Sequence, residues 1–122
     1  MTQEEEKQLL LKDLCARLPY GVKFQGEDSN VYTLDAANYF ALQVGDAVFK
    51  PYLRPMSSMT EEERREYDKL IVKCIYDPEA YFFDNYDRLY DWLLEHHFDY
   101  RGLIEKSLAL EAPEDMYKQE KI

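Results

Sequence analysis

The chain is short of positive charge, glycine, cysteine and histidine, and each shortage excludes something. Lysine and arginine number 15 against 25 aspartates and glutamates, a formal net charge of −10. Unaided binding to nucleic acid or to an anionic membrane needs basic side chains that neutralise phosphates, so neither is expected. Arg17, Lys23, Lys50 and Arg54 are too few to make a phosphate-tracking patch. The four glycines, Gly21, Gly26, Gly45 and Gly102, all stand at turns or helix ends. None builds a P-loop, a GxGxxG or a GxSxG, so no catalytic signature is present. Cys15 and Cys74 fall on apolar helical stripes and read as buried free thiols, not as a disulfide or a metal pair. No apolar run approaches the ~20 residues that span a bilayer. The opening MTQEEEKQLLL is acidic where a secretory signal would be basic, so the expected setting is cytoplasmic. No cofactor and no metal are expected.

What the chain does have is aromatic mass and a charge asymmetry. Its 122 residues fit one domain, 1–122, and a hydrophobic share of 46% is enough for a core. Eleven tyrosines and six phenylalanines bring large buried areas with phenolic tips that tolerate water. Residues 1–60 carry a net charge of −2 and residues 61–122 a net charge of −8. The two halves therefore differ in kind, and KPYLRPMSSMT, Lys50 to Thr60, divides them.

Thr2 and Glu5 form a capping-box pattern, and Glu4 to Glu6 suit a helical first turn. Leu11, Leu14, Cys15 and Leu18 recur at i, i+3, i+4 and i+7, which predicts a helix from about Gln3 to Arg17 with that face inward. Pro19 and Gly21 close it. Tyr20 to Gln25 alternates as a strand, with Tyr20, Val22 and Phe24 on one side. Gly26 to Asn30 has turn chemistry, Val31 to Leu34 reads as a second strand, and Tyr39 to Val44 reads as a third. Ala47 to Leu53 reads as a fourth. Pro51 and Pro55 remove donors and fix φ, so Lys50 to Pro55 is expected as an extended strap at the sheet edge, not as a central strand. Strands in this order imply an antiparallel meander, of a kind that can curl like a small barrel.

Thr60 and Glu63 repeat the capping box. Tyr67, Leu70, Ile71 and Cys74 again share one helical face, and Asp77-Pro78 ends that helix. Asp84 or Asn85 is expected to cap the next helix, whose inner face carries Tyr86, Leu89, Tyr90, Leu93 and His97. Gly102 separates it from a short helix over Leu103 to Lys106. Leu108 and Leu110 tuck back, and the tail from Glu114, within residues 113–122, is polar and frayed. The fold class is α+β: an N-terminal helix (1–18), a small antiparallel sheet of three or four strands with the strap (20–54), and a C-terminal helical part (58–112).

The stretches EEEKQLLLKDLCARLPYGVK, KPYLRPMSSMTEEE and HHFDYRGLIEKSLALEAPEDMY together resemble a family of small proteins from gut Bacteroides genomes and their phages or prophages. The match covers both ends and the strap. Phe24 to Phe49 and Leu70 to Arg88 lie outside it. The resemblance implies an origin in a mobile element and a cytoplasmic setting, and it brings no activity, cofactor or catalytic residue. Members of that family often have glycine where this chain has Ser107 and Asp115.

Three clusters are candidates for function. Asp84, Asp87, Asp91 and Glu95 project from one side of their helix, opposite Leu89 and Leu93. Such a ridge is either a solvated face or a docking surface for a basic partner, where it would imitate a row of phosphates. Four carboxylates repel one another, and only Arg88 and Arg101 are near in sequence. Tyr81, Phe82 and Phe83, with Tyr76 and Tyr86, either seal a helix junction or anchor a partner. His96 and His97 have metal-ligand chemistry, but adjacent helical residues point ~100° apart and no second motif accompanies them. The leading expectation is a non-enzymatic interaction protein working through its acidic, aromatic helical half, with a protein partner that presents a basic surface. The alternatives are a barrel-like module that binds a peptide or nucleic acid and, last, a hydrolase or metal-binding protein centred on His96 and His97.

Overall fold

The computed structural model describes residues 2–44, 49–76 and 82–117, with side chains in the last span from Tyr86 onward. Among the described residues there are four α-helices and four strands: α1 (Gln3–Arg17), β1 (Lys23–Gln25), β2 (Val31–Thr33), α2 (Ala36–Val44), β3 (Lys50–Leu53), α3 (Glu61–Tyr76), α4 (Phe82–Glu95) and β4 (Leu110–Glu111). The class is α+β, with the N-terminal helix first. No helix among these residues is long and apolar enough to cross a membrane.

α1 starts where the capping box places it. The Thr2 hydroxyl accepts the Glu5 N–H at 3.1 Å and itself donates to Glu5 Oε1. Its inward face is one position off the expected one. Leu10, Asp13, Leu14 and Arg17 are buried, whereas Cys15 is exposed. The buried face carries the Asp13–Arg17 ion pair, so apolar periodicity marks the neighbouring stripe instead. Cys15 is therefore not a buried thiol, and Cys74 is half-buried.

The sheet is open and mixed, in the order β2-β1-β3-β4, not a meander and not closed into a barrel. β1 and β2 form the expected hairpin, with Phe24 opposite Tyr32. β3 then pairs antiparallel with the other side of β1, and β4 pairs parallel with β3. Residues 39–44, expected as a strand, belong to α2. Asp35 caps this helix: its carboxylate accepts the Asn38 N–H at 2.8 Å and its carbonyl accepts that of Tyr39. A short apolar run fits either period, and here the cap decides.

Lys50–Leu53 is an inner strand, against the expectation that its prolines keep it at the edge. Pro51 is fully buried and faces Phe24 across the sheet. The ladders beside it are only two residue pairs long, and the one to β4 begins beyond the proline, at Tyr52. A missing donor is tolerable where the ladder is this short.

Two hydrophobic clusters fill the molecule. The first gathers Leu10 and Leu14 of α1, Val22, Phe24, Leu34, Leu42 of α2, Leu53, Leu103 and Ala109. The second joins α3 and α4 around Leu89, Leu93 and Phe98, with Tyr67, Leu70, Ile71 and Cys74 packed against it as the helical spacing predicts. The Thr60–Glu63 capping box at the start of α3 is complete, its two bonds at 3.0 and 3.1 Å. α4 already runs from Phe82, so Asp84 and Asn85 lie inside it and not at the position before its start. After Gly102 the chain makes turns over residues 103–107 in place of the expected helix. Asp99 organises those turns by accepting the N–H groups of Leu103 and Ile104 at 2.8 and 2.9 Å.

Candidate functional site

The ridge on α4 is exposed as its helical phase requires. Asp87, Asp91 and Glu95 face solvent, while Leu89 and Leu93 of the same helix are buried. Among the described residues none of the three carboxylates makes an ion pair. Asp91 Oδ1 accepts a hydrogen bond from Tyr20 at 3.3 Å. Desolvation and the carboxylates of Asp91 and Glu95 raise the Tyr20 pKa. Tyr81 and the side chains of Phe82, Phe83 and Asp84 lie outside the described residues. Of the flanking aromatics, Tyr76 is 75% exposed and Tyr86 is half-buried.

No group of three or more His, Cys, Asp or Glu among the described residues is placed to hold a metal ion. His96 Nδ1 donates to the Trp92 carbonyl at 2.9 Å, and its ring lies 4.4 Å from that of Trp92. His97 is not on the apolar face of α4. It stands beyond the helix end at φ +63°, in the left-handed region, and stacks on Tyr117 with ring centroids 3.8 Å apart. Burial and the charges of Arg17 and Arg54 pull its pKa down to about 4.

Those arginines belong to a polar hub between the two hydrophobic clusters, which the spacing of residues did not reveal. Arg17 and Asp13 are both fully buried and meet at 2.7 Å. Arg17 Nη2 donates to the Phe98 carbonyl at 2.7 Å, and Arg101 reaches the other Asp13 oxygen at 3.1 Å. Arg54 makes a two-pronged contact with Glu63 at 2.7 and 2.8 Å and lies 4.3 Å over the Phe98 ring. Hydrogen bonds from Arg54 hold the Glu63 carboxyl well below its usual range, at about 2. The Asp13 to Arg17 spacing of four residues was the available signal. It reads on paper as a surface pair.

Tyr117, expected in a frayed tail, is docked. Its hydroxyl donates to the Tyr52 carbonyl at 2.6 Å and accepts the Lys23 N–H at 2.9 Å, so it ties the ends of β1 and β3. Burial pushes its phenol up to about 12.

Two open clefts lie on the surface of the described residues. One, of about 470 Å³, has Leu11, Lys12, Cys15, Tyr39 and Arg101 in its walls. The other, of about 390 Å³, is formed at the β1–β2 hairpin by Phe24, Glu27, Asp28, Tyr32, Asn38 and Phe49. Comparison with protein families, curated proteins and solved structures finds no match.

Proposed function

We propose that the protein is a non-enzymatic interaction protein whose α4 ridge docks on a basic surface of a partner protein. The observation that carries this reading is the fixed phase of α4. Leu89 and Leu93 are held in the core, so Asp87, Asp91 and Glu95 are held outward together, without ion pairs among the described residues. Exposed like charges at this spacing cost a helix a little and give the core nothing. A rigid row of carboxylates presents charge much as a phosphate backbone does, which suits a partner that normally holds nucleic acid. Complementary charge of this kind mainly accelerates association and makes it salt-dependent. The resemblance to proteins of Bacteroides and their phages or prophages supports, as part of the same proposal, a mobile-element origin and a cytoplasmic setting.

The test is the double variant Asp87→Asn/Asp91→Asn. Its melting temperature should equal or slightly exceed that of the parent, because only exposed repulsion is removed. The parent should retain a bacterial protein with a basic surface at low salt and release it at high salt, and the variant should retain clearly less. Equal retention by both proteins sinks the ridge as a docking surface. A variant that melts markedly lower would place these carboxylates in structural pairs instead.

A further inference from the structure

The hairpin cleft has the chemistry of a cation site. Its floor is Phe24, which is 2% exposed and lies between two other rings, Tyr32 at 5.7 Å and Phe49 at 4.8 Å between centroids. Its rim carries the carboxylates of Glu27 and Asp28. Asp28 is fixed in place, since it accepts hydrogen bonds from the Tyr32 hydroxyl and from the backbone and side-chain nitrogens of Asn30. These bonds lower its pKa, so it stays ionised. Gly26 leaves room for the arrangement, because a Cβ there would meet the Tyr32 ring at 2.8 Å. Aromatic faces next to a fixed carboxylate attract ammonium and guanidinium groups more strongly than either feature alone.

The position of the cleft says how such a group would arrive. β2 is the outermost strand of the sheet, its residues Val31, Tyr32 and Thr33 are all exposed, and no strand among the described residues pairs with its outer side. Pro51, Phe24 and Tyr32 lie in register across β3, β1 and β2, so they form one row on one face of the sheet. An extended segment added along β2 would place one side chain next in that row, about 5 Å from Tyr32 and at the outer rim of the cleft.

We propose that the β2 edge and the rim of the hairpin cleft bind an extended segment of a partner protein, with an arginine or lysine side chain seated against the Tyr32 ring and the carboxylates of Glu27 and Asp28. Backbone pairing along β2 supplies the anchoring, and the cleft selects the cation. This site is independent of the α4 ridge, because no residue of α4 lines the cleft.

An NMR titration of the whole chain tests it, with three probes: the peptide Thr-Val-Arg-Val-Thr, the same peptide with neutral citrulline for arginine, and free arginine amide. The arginine peptide should perturb the amides of Val31 to Thr33 and bind about tenfold or more tightly than the citrulline peptide. Asp28→Asn and Tyr32→Leu should each abolish that preference. Glu27→Gln should reduce it without touching the hydrogen bonds of the turn, which keeps the test sound if Asp28→Asn disturbs the hairpin. Glu62→Gln, an equally exposed change at the start of α3, should have no effect. Equal affinity for the two peptides, perturbation elsewhere than β2, or an effect of Glu62→Gln as large as that of Glu27→Gln would overturn the proposal. So would arginine amide binding as tightly as the peptide, which would make the cleft a small-molecule site.

Discussion

Asp13 and Arg17 place two opposite charges at full burial, where each depends on the other. Desolvation of such a pair roughly cancels its attraction, but removal of one partner leaves an uncompensated charge. Asp13→Ala should therefore destabilise folding by about 3–5 kcal/mol in urea titrations. Asp13→Leu/Arg17→Met should recover part of that loss, since it removes both buried charges and leaves only the Phe98 carbonyl and Arg101 without those partners. His97 makes a different demand. Its pKa is about 4 when folded against 6.5 for the free side chain, and the cations that face it are Arg17, Arg54, His96 and Lys23. Between those values the unfolded chain binds the extra proton, so stability rises with pH there. The contribution is fully present above about pH 6.5 and is lost as pH falls to about 4. Glu63, held near 2, loses its own contribution only below its free value of 4.5. His97→Asn keeps a residue suited to positive φ, so its stability should vary less with pH between 6.5 and 4. An unchanged pH dependence would remove His97 as the origin. Cys15 is exposed and Cys74 half-buried, so a thiol reagent should label Cys15 first in the native protein.

At the scale of elements, Lys50–Leu53 matters most. It leaves α2, pairs on both sides, and at Arg54 joins the turn after α4: the Arg54 N–H donates to the His97 carbonyl, and its own carbonyl accepts from Asp99, each at 2.8 Å. Pro51 and Pro55 stiffen this connection in the unfolded chain. Pro51→Gly and Pro55→Gly should each lower stability by about 0.5–1 kcal/mol, and Pro51→Gly by more, since it also removes buried volume. Melting curves identical to the parent for both would show that the prolines contribute nothing. The turn after Gly102 has its own strain. Ser107 sits at φ +61°, a conformation that favours glycine.

At the scale of the molecule, the two hydrophobic clusters are joined by polar contacts. Arg17 and Arg54 both reach the Phe98 segment, one through its carbonyl and one over its ring. Tyr117 adds a third tie by closing the C-terminal segment over β1 and β3. Tyr117→Phe removes an acceptor for the Lys23 N–H and a donor to the Tyr52 carbonyl. It should cost about 1–3 kcal/mol and speed hydrogen exchange at Lys23. If exchange at Lys23 stays slow, the segment is not what protects the end of β1.

The sequence by itself determined what depends on local chemistry. The Thr2–Glu5 and Thr60–Glu63 boxes located the starts of two helices, because capping is settled within four residues. The Gly26–Asn30 turn located a hairpin, and α3 showed its true face because that face is wholly apolar. The side on which Asp87, Asp91 and Glu95 lie was legible for the same reason. Tertiary structure decided whatever depends on partners distant in the chain. It turned α1 by one position to bury Asp13 and Arg17, since only contacts with Phe98 and Arg101 make a buried charge tolerable. It made residues 39–44 a helix, since a short apolar run has no period strong enough to choose. It drew Pro51 into the sheet by supplying β4, whose Leu110 pairs with Tyr52 far along the chain. The cleft at Phe24 and Tyr32 was hidden for a related reason. The turn predicted the pairing, but only the assembled sheet brings Phe49 beside it and leaves β2 at the edge.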